Sequence, residues 1–80
     1  MMQKIDYGKL EKMAIVLRKR FPVGSRVRLV KMDGESLPIG TEGTVSGVDD
    51  IGTIHVHWDC GSSLGVVYPE DKCELITKNN

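Results

Sequence analysis

Little in this chain of 80 residues can staple a fold from outside. It has two cysteines, Cys60 and Cys73, and neither belongs to a C-x-x-C pair. A disulfide between them would need their Cα atoms within about 7 Å. Without an export signal, two free thiols are the default reading. No apolar run approaches the roughly 20 residues that span a bilayer. The opening Met1-Met2-Gln3-Lys4-Ile5-Asp6 lacks the apolar core of a signal peptide. These absences predict a cytoplasmic chain that engages no membrane. Aromatic residues are scarce as well: Tyr7, Phe21, Trp58 and Tyr68 are the full set. Grooves that read proline-rich peptides need several neighbouring rings, so this set argues against such a ligand. There are no internal repeats and no low-complexity tracts.

What is present suits one small globular domain. The composition, 40% hydrophobic and 28% charged, is ordinary for a packed fold and unlike a disordered segment. A domain of this size buries only about 60% of its unfolded surface, so its stability is expected to be marginal. Net charge is zero but unevenly spread. Residues 1–22 hold six basic and two acidic side chains, a net of +4, and residues 23–80 hold five and nine, a net of −4. Such halves can attract each other, recruit separate partners or drive self-association, and each can equally be a solvated face.

Hydrophobic periodicity divides the chain near Pro22. Leu10, Met13, Ala14, Leu17 and Phe21 recur at the spacing of one buried helical face, with Asp6 placed to cap it. Arg18-Lys19-Arg20 falls in the last turn, where cations suit the negative end of the helix dipole. Pro22 then pushes the preceding residue out of helical geometry. The pattern predicts a helix over residues 7–20.

Beyond Pro22 the period changes to two. Val27 and Leu29 alternate with Arg26 and Arg28 in a half-buried strand over 26–32. Residues 33–40 read as a loop rich in turn formers. Gly43 and Gly47 within the β-branched run 41–48 predict a bulge or a sharp bend. Along 53–58, Ile54, Val56 and Trp58 face one way, His55 and His57 the other. Asp59-Cys60-Gly61-Ser62 reads as a tight turn with Gly61 left-handed. Residues 64–68 return as a strand, residues 69–72 form one turn, and residues 73–76 make a short closing strand. The expected fold is mainly β with one N-terminal α-helix. A helical segment, 1–22, packs on a small five-stranded SH3-like barrel, 23–80, whose closure would remove exposed sheet edges.

Gly40-Thr41-Glu42-Gly43-Thr44-Val45, followed by Ile54-His55-Val56-His57-Trp58-Asp59-Cys60-Gly61, resembles the G-x-x-G-x-V…V-x-W-x-x-G pattern of SH3-like barrels. The run from Pro22-Val23-Gly24-Ser25-Arg26-Val27-Arg28-Leu29-Val30-Lys31-Met32 through Asp71-Lys72-Cys73-Glu74 resembles an uncharacterised family of small proteins. That family is a domain of unknown function carried by Gram-positive bacteria, their prophages and conjugative elements. The resemblance covers about residues 20–76 and implies the fold but no activity. Relatives often carry asparagine-glycine where this chain has Cys60-Gly61, which makes Cys60 a substituted turn residue. The G-x-x-G-x-V element also resembles, over a shorter stretch, the KOW modules of ribosomal and transcription proteins.

Several residue sets invite chemistry. His55, His57 and Asp59 form H-x-H-x-D on one strand face, where alternate side chains lie about 7 Å apart. They supply at most three zinc ligands with no fourth in evidence, so no metal is predicted. Catalysis has little support. Ser62 and Ser63 lack a nucleophile motif, and Cys60 at a turn tip is poorly placed for His57 as its base. No cofactor is predicted. Trp58, inward by alternation, reads as core.

Binding remains. The first reading is a non-enzymatic accessory module of a phage or mobile element that binds a protein partner through the helix and the 33–40 loop. Leu37, Pro38 and Ile39 are its candidate contacts, as apolar residues in a polar loop that offer anchors or fold back as a lid. The alternative is a nucleic-acid-binding module in which Arg18, Lys19, Arg20, Arg26 and Arg28 contact phosphates. Another is a homo-oligomer that sequesters a small anionic ligand such as a nucleotide, as an anti-defence protein would.

Overall fold

In the computed structural model, residues 7–32, 34, 37–67 and 70–76 are described. The elements run α1 (Tyr7–Arg20), β1 (Arg26–Lys31), β2 (Glu42–Val48), β3 (Thr53–Trp58), β4 (Val66–Val67) and β5 (Lys72–Leu75). The Asp6 cap lies outside the described residues. At the other end of α1 the Phe21 N–H donates to the Leu17 carbonyl at 2.7 Å, extending the helical bonding by one residue before Pro22 stops it. Gly24, at φ +91°, then reverses the chain. Its N–H donates to the Val45 carbonyl and the Val45 N–H to the Ser25 carbonyl, both at 2.8 Å, which fixes the entry of β1 beside β2.

All strand pairs are antiparallel, in the order β4-β3-β2-β1-β5. Alternation sorts the side chains cleanly. Val27, Leu29, Val45, Ile54, Val56, Trp58, Val66 and Cys73 face the core, where Leu17 of α1, Phe21 just past its end and Leu37 of the β1–β2 loop join them. The register of β2 on β3 shifts between Val45 and Gly47. Ser46 is the extra residue there, and its hydroxyl donates to the His55 carbonyl at 3.2 Å. This is the bend that the paired glycines predict. Gly43 has a different task. A Cβ there would lie 2.7 Å from Val56 Cγ1 and 2.8 Å from the His57 carbonyl oxygen, so only glycine lets β2 approach β3 this closely.

The expected barrel is not closed. The sheet ends at β4 and β5, which are not neighbours in the ladder. Two local facts account for this. Ahead of β4, the Leu64 carbonyl accepts from the Trp58 indole N–H at 2.8 Å rather than from a ladder partner. The backbone of Val67 is also occupied by Asp71: the Val67 N–H donates to Asp71 Oδ2 at 3.1 Å, and the Asp71 N–H donates to the Val67 carbonyl at 2.8 Å. Neither group is free to join β5. Of the longer strand expected over 64–68, Tyr68 lies outside the described residues.

Candidate interaction surface

The outer face of the sheet carries Arg26 and Arg28 among the charged candidates, and strand register decides who meets whom. Arg26 lies across from Thr44, and Arg28 lies between Glu42 on one side and Glu74 on the other. Asp59, just past β3, has its N–H donating to the Glu42 carbonyl at 2.9 Å, which brings it alongside. The Arg26 guanidinium therefore forks onto Asp59, with Nη1 to Oδ1 at 2.8 Å and Nη2 to Oδ2 at 2.6 Å. Nη1 also donates to Thr44 Oγ1 at 3.0 Å, and Nη2 lies 3.5 Å from Glu42 Oε1. The hydrogen bond from Arg26 holds the Asp59 carboxyl below the usual carboxylate range, against the opposing effect of desolvation. The same bond, opposed by desolvation and helped by the charges of Asp59 and Glu42, raises Arg26 further above its ordinary value. Arg28 Nε donates to Glu74 Oε2 at 3.0 Å.

The β2–β3 turn forms a second charged cluster. Asp49 Oδ1 accepts from the N–H groups of Ile51 at 3.1 Å and Thr53 at 2.9 Å, while Oδ2 lies 2.9 Å from His55 Nε2. Desolvation pushes the Asp49 carboxyl up, but the Thr53 N–H, His55 and the Ile51 N–H together pull it below its ordinary value. The turn is tied to α1 on its other side. Arg18 Nη2 donates to Asp50 Oδ1 at 2.7 Å and Nε to the Val48 carbonyl at 3.0 Å. Here the basic helix end meets the acidic remainder of the chain directly.

The five cations considered for phosphate binding are thus not equivalent. Arg18, Arg26 and Arg28 each hold a carboxylate of their own chain. Arg20 stacks over Phe21, its guanidinium carbon 5.4 Å from the ring centroid. Lys19 is exposed on α1. The H-x-H-x-D set is likewise divided, with His55 turned to Asp49 and Asp59 to Arg26. Among the described residues, no three His, Cys, Asp or Glu side chains gather as a metal site would require. Cys60 is exposed and Cys73 buried, and the two are not joined to each other.

The three loop contacts also separate. Leu37 is not an exposed anchor: it is 7% exposed and belongs to the core. The turn that follows explains this. Pro38 offers its carbonyl to the Thr41 N–H at 3.2 Å and to the Thr41 hydroxyl at 2.7 Å, while Gly40, at φ +96°, donates to the Leu29 carbonyl. The loop is thereby drawn onto β1, Leu37 turns inward, and Ile39 at the tip stays 63% exposed.

A feature absent from the sequence reading lies on the outer side of α1. Ile15 and Val16 are 47% and 60% exposed, although both are apolar and β-branched. β-Branched residues are mediocre helix formers, so neither local propensity nor core packing accounts for them. They fall off the 10-13-14-17-21 stripe, and that mismatch is the signal that would have found them. Among the described residues, no helix is long and apolar enough to cross a membrane.

The chain belongs to the family described as Domain of unknown function (DUF4314), whose model matches residues 10–76. That match takes in most of α1 as well as all five strands. No curated protein matches the chain.

Proposed function

We propose that this member of an uncharacterised family is a non-enzymatic protein-binding module, and that its contact surface is the outer side of α1. The observation that carries the reading is the exposure of Ile15 and Val16 on a helix whose other side is locked into the core. What stays exposed of these two adjacent β-branched side chains gains apolar burial only against a second molecule. The state of the arginines supports a protein over a nucleic acid. Phosphate contacts from Arg18, Arg26 or Arg28 would first have to displace Asp50, Asp59 or Glu74. Among the described residues, no exposed aromatic platform for base stacking accompanies them.

The finer fold assignment belongs to the same proposal. An antiparallel meander whose last strand returns beside the first supports an SH3-like arrangement left open between β4 and β5. The earlier resemblance supports an accessory role in a phage or mobile element. The test is site-specific photo-crosslinking in the native host, with a photoreactive residue at Val16 and, as control, at His57 on the outer sheet face. Proteins captured from position 16 and absent from position 57 support the reading. Equal capture from both positions, or none from position 16, overturns it.

A further inference from the structure

We infer that the outer side of α1 accepts an acidic segment carrying apolar anchors, a deepening that rests on the protein-binding reading above. Helix geometry places side chains three and four positions apart next to each other. Lys12 and Lys19 therefore each border both Ile15 and Val16, and Arg20 borders Val16. All three cations are exposed. Among the described residues, no carboxylate is within ion-pairing distance of any of them, in contrast to Arg18, Arg26 and Arg28. Glu11 is the single acidic residue of the helix. The result is a small apolar centre in a cationic frame, on a helix that Leu17 and Phe21 fix to the sheet.

Charge and shape together define the occupant. The cations call for carboxylates, and Ile15 and Val16 call for apolar side chains set between them, as in an interface with an apolar centre and a polar rim. A nucleic-acid backbone would satisfy the frame and leave the centre bare. An anionic bilayer would satisfy both only with far more apolar surface than two residues provide. An acidic amphipathic segment matches both at once. Electrostatic steering by the frame makes its association fast and sensitive to salt.

The experiment is an unbiased peptide-display selection on the whole chain, followed by titration of synthetic peptides by fluorescence anisotropy. Three variants are compared with the parent: Ile15→Gln/Val16→Gln, Lys12→Glu/Lys19→Glu, and the sheet-face control Lys72→Glu. A single-stranded oligonucleotide and phosphatidylserine-containing vesicles serve as alternative probes. The expected result is enrichment of peptides combining Asp or Glu with apolar residues. Their affinity should fall at least about tenfold in either α1 variant and stay unchanged in the control, a loss of the size that central anchors produce. Enriched peptides that depend on Ile15 and Val16 but show no acidic bias would overturn the partner class and leave the protein-binding reading intact. If no enriched peptide depends on α1, both fail. Tighter binding of the oligonucleotide or the vesicles, lost in Lys12→Glu/Lys19→Glu, replaces the acidic segment with that ligand.

Discussion

The outer face of the sheet and the outer side of α1 are both charged and both exposed, yet they differ in what their charges do. On the sheet, Arg26 and Arg28 face Asp59, Glu42 and Glu74 across strand registers, and each of these two arginines meets an anion within the chain. On α1, Arg18 finds such a partner at the β2–β3 turn, while Lys12 and Lys19 frame Ile15 and Val16. A surface whose charges are satisfied internally must break bonds to bind anything. One that leaves cations and apolar groups side by side has no internal ion pair to break when it is covered. Total charge therefore does not distinguish the two surfaces, and pairing does.

The comparison stands only if α1 is fixed, and the largest expected effect tests that. Leu17 is buried among the core strands, so Leu17→Ala should destabilise the domain by about 2–5 kcal/mol in denaturant unfolding. An unchanged unfolding midpoint would mean that α1 is a detachable arm and not a platform. Next in size is Gly43→Ala, which forces a methyl group against Val56 and the β3 backbone at a cost of about 1–3 kcal/mol. Gly43 lies between Glu42 and Thr44, both partners of Arg26, so the same change should disturb the sheet's ionic face and leave α1 binding intact. NMR chemical-shift mapping would distinguish the two regions.

The β2–β3 turn gives a smaller, pH-dependent effect. The folded-state value of Asp49 lies below its ordinary one, so the unfolded chain binds the proton first as pH falls. Its stabilising contribution is complete above the ordinary carboxylate range, near pH 4–5, and is lost as pH drops through the folded value. Melting curves across that window should show Asp49→Asn losing less stability on acidification than the parent; parallel curves would refute the role of this carboxylate. The smallest effect is the most telling. Ile15→Gln/Val16→Gln should change stability by no more than about 0.5 kcal/mol while removing partner capture. A large loss of stability would instead show that these side chains serve the fold.

Much of this architecture was legible in the sequence, for reasons tied to range. The helix over 7–20 follows from one stripe and one proline, both local signals. The left-handed Gly61 follows from its place in a short turn, and the irregular register beside Gly47 from glycines in a β-branched run. Closure was not legible. It turned on whether Val67 bonded to β5 or to Asp71, a choice between two nearby partners that no periodicity encodes. Nor was the fate of Arg26, whose partner Asp59 stands 33 positions away and arrives only through the pairing of three strands. Leu37 offered two readings as a lone apolar residue in a polar loop, and the hydrogen bond from Gly40 to Leu29 selects the inward one. The exposed pair on α1 escaped notice because amphipathic analysis looks for the buried stripe and treats the rest of a helix as solvent-facing.

The position of β1 between β2 and β5 also sets a timetable for folding during synthesis. Val27 pairs with Gly43 on one side and with Leu75 on the other. As the chain leaves the ribosome, the β1–β2–β3 meander can assemble from close neighbours, but the second flank of β1 stays bare until residue 75 has emerged. Through that interval Leu29 lacks its cover from Cys73 and the β1 backbone presents an open ladder to any other nascent strand. Arg28, still waiting for Glu74, sits on that open flank and places a charge where a stray strand would dock.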